Sequence, residues 1–158
     1  MPGRVVIIMG SKSDLEHVQK IETQLAAWGV PSEKRVASAH KSVRHLMALL
    51  ECYADMTGPL VFITVAGRSN ALGGMVDANS AWPVITCPPV SSTFGGADIY
   101  SSLRMPSGVA PAIVLDPKGA ALAAAKILAL SDADLKEKVA AYQQQMTATL
   151  VSDDASLQ

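Results

Sequence analysis

Short apolar runs alternate with stretches of helical period along most of this chain, and that rhythm constrains the fold more than any other feature. The runs Arg4 to Met9, Lys34 to Ala37, Leu60 to Val65, Val84 to Cys87 and Ala112 to Leu115 predict five strands. Between them lie predicted helices over Asp14 to Trp28, Val43 to Met56 and Asn70 to Asn79, and a short one over Asp98 to Arg104. The strands read as continuous apolar segments and not as alternating ones, the pattern of a parallel sheet covered by helices on both faces. The expected fold class is α/β, a three-layer doubly wound parallel sheet of the flavodoxin or Rossmann kind.

Local signals sharpen the boundaries. Leu15, Val18, Ile21, Leu25 and Trp28 form one stripe, and Ser13-x-x-Glu16 is a capping-box pattern that predicts a helix start near Ser13. Gly29 followed by Pro31 predicts its end. Near the C-terminus, Lys118 to Leu130 is a nearly uncharged Ala-rich helix, and Asp132 to Val151 is a second helix with Leu135, Val139, Tyr142 and Met146 on one face. An Ala-rich surface of that kind must be buried. A second subunit is the expected cover, with the core of the monomer as the alternative. Residues 1–151 are read as one domain, with 152–158 as a frayed C-terminal tail.

Composition narrows the function. The 158 residues carry thirteen Lys and Arg against fourteen Asp and Glu, a formal charge of -1, so no basic field argues for nucleic acid or an anionic membrane. No apolar stretch is long enough to span a bilayer. Cys52 and Cys87 are isolated and give no disulfide framework, which fits a reducing cytoplasm. A small-molecule ligand is the remaining expectation.

In a parallel sheet, ligands gather beyond the carboxyl ends of the strands. The first strand ends in Gly10-Ser11-Lys12-Ser13-Asp14, where the glycine is expected to let the chain turn, the two hydroxyls suit a phosphate, and Asp14 suits sugar hydroxyls. The order of residues matches neither a P-loop nor Gly-x-Gly-x-x-Gly, and helix capping by Ser13 alone is the simpler alternative. The second strand ends in Ser38-Ala39-His40-Lys41-Ser42. His40 is the one histidine at a strand end and can move a proton near neutral pH, Lys41 offers a compact positive charge, and Ser42 is expected to cap the following helix. His17 and His45 fall within helices and are expected at the surface. The third strand ends in Ala66-Gly67-Arg68-Ser69-Asn70, with Gly73-Gly74 beyond. Arg68 reads equally as a surface ion-pair partner, and the glycine pair as close helix packing. The glycine-bearing stretch from Phe94 to Gly108 reads as a lid or a subunit contact.

GSKSD, SAHK, AGRSN and SSLRMPSG, in that order and spacing over nearly the whole chain, resemble the phosphoribosylaminoimidazole carboxylases of purine synthesis. The resemblance is to the class II form, which adds carbon dioxide to aminoimidazole ribonucleotide (AIR). In the class I mutases, which rearrange the N5-carboxylated isomer, SAHR replaces SAHK, AGGAAH replaces AGRSN, and a tryptophan takes the place of Leu15. The resemblance implies a free-standing cytoplasmic enzyme with substrates AIR and carbon dioxide, no metal, biotin or ATP, and a homo-oligomer, typically an octamer, with a tetramer possible. It implies phosphate and ribose contacts at Ser11, Ser13 and Asp14, a catalytic His40, and carboxylate-side contacts at Ser38, Lys41, Gly67 and Ser69. A class I mutase and a non-catalytic nucleotide-binding module of the same fold are the competing readings.

Overall fold

The structure, a computed structural model, describes residues 3–158. Five parallel strands form one sheet: β1 (Arg4–Met9), β2 (Ser32–Val36), β3 (Leu60–Val65), β4 (Val84–Thr86) and β5 (Ala112–Ile113), in the order β2-β1-β3-β4-β5. β1 is an interior strand, pairing Val5 with Ser32 on one side and with Val61 on the other. The chain therefore moves outward from β1 to β2, then reverses across β1 to β3, which creates a topological switch point at the carboxyl ends of β1 and β3.

Each apolar run is sorted by the pleat. Val5, Ile7 and Met9 face α1 (Leu15–Ala27), α4 (Pro117–Leu128) and α5 (Ala133–Ser156), packing on Val18, Ile21, Leu25, Leu128, Leu135 and Val139. Val6 and Ile8 face α2 (Val43–Ala54) and α3 (Ala71–Ala78), packing on Leu46, Leu49, Phe62, Leu72 and Val76. A strand buried on both faces needs no polar side, which is why β1 is apolar from Val5 to Met9 and β3 is apolar apart from the buried Thr64. β2 differs from the continuous apolar strand expected. It is the edge strand Ser-Glu-Lys-Arg-Val, alternating between half-buried and exposed, and it begins at Ser32 because β1 sets its register.

Three local expectations are corrected. The capping box at Ser13 does not form. The chain first makes a turn of 3-10 helix over Lys12–Asp14 capped by Ser11, and Glu16 turns outward to pair with Lys20 at 3.2 Å. The Ala-rich α4 finds its cover within its own chain: Ala120, Ala121, Ala124 and Ala125 are fully buried in the core shared with α1, where small side chains let the helices approach closely. The expected tail is helical as far as Ser156, since Val-Ser-Asp-Asp-Ala-Ser contains no helix breaker. Asp132 caps α5 by accepting from the Leu135 amide at 2.9 Å, and Lys138 donates to the carbonyl of Trp28 at 3.1 Å, tying α5 to the end of α1. Trp28 and Tyr142 meet edge to face with centroids 5.3 Å apart. Among the described residues no helix is long and apolar enough to cross a membrane.

Candidate active site

A cleft of about 490 Å³ opens at the carboxyl ends of β1, β2 and β3. It brings together the eight site residues that the family resemblance implies, Ser11, Ser13 and Asp14 after β1, Ser38, His40 and Lys41 after β2, Gly67 and Ser69 after β3, but not Ser42, Gly73-Gly74 or the Phe94 to Gly108 stretch. Gly10, Ala66 and Arg68 complete its lining. These residues lie far apart in sequence, and parallel pairing of three neighbouring strands is what brings them to one edge.

The β1 loop presents two hydroxyls side by side. Ser13 Oγ donates to Ser11 Oγ at 3.0 Å, and the Ser13 amide donates to the same oxygen at 3.3 Å. Asp14 is half-buried, and burial pushes its carboxyl above the usual aspartate range, opposed by the Ser11 backbone and by nearby His17. Gly10 keeps an ordinary backbone and its amide donates to the Val65 carbonyl at 2.9 Å, so the turn here does not demand a glycine as expected.

Two serines shape the β2 loop. Ser38 Oγ accepts from the amides of His40 and Lys41 at 3.3 and 3.2 Å, and the Ser38 amide donates to Ser42 Oγ at 2.8 Å. Ser42 Oγ also donates to the Ser38 carbonyl at 3.3 Å. Ser42 thus closes the loop upon itself instead of capping α2 through its side chain, correcting the sequence expectation. The result holds His40 and Lys41 exposed at the rim on a braced backbone.

At the end of β3, Arg68 has φ 42°, the one positive value outside glycine among the described residues. Such a left-handed backbone costs about 1–2 kcal/mol. Among the described residues no ion pair involves Arg68, so the surface-pair reading finds no partner there. Gly73 and Gly74 serve packing: a Cβ at Gly73 would stand 3.2 Å from the Thr86 side chain, and one at Gly74 3.3 Å from Met105 Sδ.

Two features escaped the sequence reading. Asn70, only 2% exposed, donates its amide to Ser101 Oγ at 3.0 Å and its side-chain NH₂ to Ser102 Oγ at 2.8 Å and to Thr86 Oγ1. This buried polar network pins the glycine-bearing segment, which folds as a 3-10 turn over Ala97–Ser101 beside the cleft. The second is His17, which is half-buried and not at the surface as expected. Its Nε2 lies 3.3 Å from Cys87 Sγ at the end of β4, and burial lowers its pKa below the usual imidazole range. Nothing in a helical pattern marks one residue for contact with a strand two positions away in the sheet.

A switch-point cleft lined by hydroxyls, one carboxylate, one imidazole and two cations has the make-up of a small-molecule site in an open α/β sheet, and its chemistry suits an anionic ligand. The comparisons narrow the class. Residues 4–149 match the AIR carboxylase family. The phosphoribosylaminoimidazole carboxylase of Treponema denticola is 46% identical over 97% of this chain and 96% of its own length. That of Archaeoglobus fulgidus is 51% identical over 98% and 84%. The crystal structure of Treponema denticola PurE superposes with a TM-score of 0.97, covering 99% of both chains at 46% identity. A type II dehydroquinase from Propionibacterium acnes, 15% identical with a TM-score of 0.50, shares the fold alone. The chain belongs to the AIR carboxylase family and is a carboxy-lyase of purine biosynthesis.

Proposed function

We propose that this enzyme is the class II form, adding carbon dioxide to AIR to give 4-carboxy-AIR without ATP, biotin or a metal. The observation that carries the reading is the convergence of His40, the paired hydroxyls of Ser11 and Ser13, and the Gly67 to Ser69 turn on one cleft. Lys41, Arg68 to Asn70 and Leu15 support class II over the mutases.

The aminoimidazole ring is an enamine-like nucleophile at C4. Ser11 and Ser13 hold the phosphate, and Asp14 accepts from the ribose hydroxyls, which fixes the ring over the β2 loop. C4 attacks carbon dioxide, forming the C–C bond while the ring nitrogen system takes the positive charge. His40 then accepts the C4 proton and the ring regains its aromatic character. Carbon dioxide is neutral and the product carboxylate is anionic, so Lys41, Ser69, Ser38 and the amides around Gly67 favour the charged product. The protein acts in the cytoplasm on these small molecules, without nucleic acid or membrane, as a homo-octamer or a tetramer.

Incubation with AIR and bicarbonate without ATP tests this, in parallel with the N5-carboxylated isomer. Carboxylated product from AIR supports class II. Turnover of the isomer alone identifies a mutase, and AIR binding without turnover identifies a binding module.

A further inference from the structure

Arg68 has no part in the scheme above, yet among the described residues it is the one non-glycine residue with a left-handed backbone, and it lines the cleft. Its left-handed φ of 42° would be relieved by glycine, and the chain keeps an arginine there. The conformation is held from both sides. Gly67 packs under Pro89, whose Cγ lies 3.5 Å from where a Cβ would stand, and Asn70 is fastened by its bonds to Ser101, Ser102 and Thr86. A side chain with five donors is thereby placed on the wall of a concave site at an unfavourable φ.

The charge around it is unbalanced. Asp14 is the one carboxylate lining the cleft, against Lys41 and Arg68, and among the described residues neither cation forms an ion pair. The hydroxyls of Ser11, Ser13 and Ser69 line the same cleft. A guanidinium on a rigid backbone, without an acid partner and beside hydroxyl donors, is suited to forked hydrogen bonding of an oxyanion.

We propose that Arg68 is a further substrate-binding residue, gripping an oxyanion of the bound nucleotide, either its phosphate ester or the carboxylate on its ring. The inference rests on the substrate reading given above. Its strained backbone is then a cost retained for ligand binding, and two effects should separate: replacing Arg68 weakens binding without weakening the fold.

Titration calorimetry with AIR and with 4-carboxy-AIR, on the wild type, Arg68→Gly and Arg68→Lys, tests the proposal. Arg68→Gly should melt at the same or a higher temperature and bind at least one ligand about 10- to 100-fold more weakly, with Arg68→Lys between it and the wild type. Equal losses for both ligands assign Arg68 to the phosphate, and a loss confined to 4-carboxy-AIR assigns it to the carboxylate. Affinities within twofold of wild type for both ligands, or a lowered melting temperature in Arg68→Gly, overturn the proposal. A wild type that binds neither ligand refutes the substrate reading itself, which keeps the two failures distinct.

Discussion

His17 Nε2 stands 3.3 Å from Cys87 Sγ, joining the first turn of α1 to the carboxyl end of β4. The thiol also donates to the carbonyl of Leu115 at 3.6 Å and is completely buried away from solvent. Burial, with the charge of Asp116, pushes the Cys87 thiol up to about 12.

Thiol chemistry should therefore separate the two cysteines. Cys52 is exposed and Cys87 is buried. At pH 8, a thiol reagent should modify one cysteine of the native protein quickly and the second only after unfolding. Mass spectrometry of tryptic peptides would locate the label, and rapid native labelling of Cys87 would contradict its burial.

The same pair sets a pH dependence of stability. His17 is held below the usual imidazole range chiefly by burial, with Lys20 adding to the effect and the Cys87 backbone, Asp14 and Asp116 opposing it. The folded state thus resists protonation at a pH where the unfolded chain, near 6.5, accepts a proton. The contribution of His17 to stability is present above about 6.5 and is lost as pH falls through the lowered folded value. Urea midpoints between pH 7.5 and 5.5 should fall less steeply in His17→Gln than in the wild type. Parallel curves for the two proteins would show that His17 titrates alike in both states.

His40→Asn should leave the melting temperature nearly unchanged, because His40 is exposed and its backbone is held by Ser38. Turnover should fall by about 10²–10⁴-fold, the usual contribution of a positioned proton acceptor. AIR affinity measured beside the rate would stay within a few-fold, and a near-normal rate would remove His40 from the reaction.

Ser42→Ala removes both side-chain bonds that close the β2 loop. Each net hydrogen bond is worth about 0.5–1.5 kcal/mol, so the fold should survive with a modestly lowered melting temperature. The rate should drop more than the stability implies, since His40 and Lys41 lose their bracing. Steady-state kinetics compared with thermal melts would show whether the two effects move together.

Ala124 is fully buried beneath α1 within a single chain. Ala124→Glu places an unpaired charge in the monomer core and should prevent stable folding, with or without assembly. Leu150, by contrast, is 70% exposed on α5. Leu150→Glu should leave the monomer folded, and if α5 lies in the interface of the homo-oligomer proposed above it should weaken that assembly, read by light scattering. If the proposed homo-oligomer forms in the wild type and stays intact in Leu150→Glu, the contact lies elsewhere.

The sequence by itself determined the parallel sheet, because strands buried on both faces are made of continuous apolar runs, as β1 is after Arg4 and β3 is but for Thr64. It also marked the candidate site motifs, since a histidine and a lysine beside hydroxyls at successive strand ends have no part in an apolar core, although Ser11, Ser38 and Ser42 also brace their own loops. It could not determine the polar edge strand, whose position follows from pairing with β1, nor whether α4 is covered by its own chain, since alanine suits either surface. The contacts of His17 with Cys87 and of Asn70 with Ser101, Ser102 and Thr86 were decided only by the tertiary structure. They join residues separated by whole helices and strands, and no local period or cap can encode which element will lie opposite. The left-handed backbone of Arg68 belongs with them, because only the packing of Gly67 on Pro89 and the fastening of Asn70 make that conformation the better one.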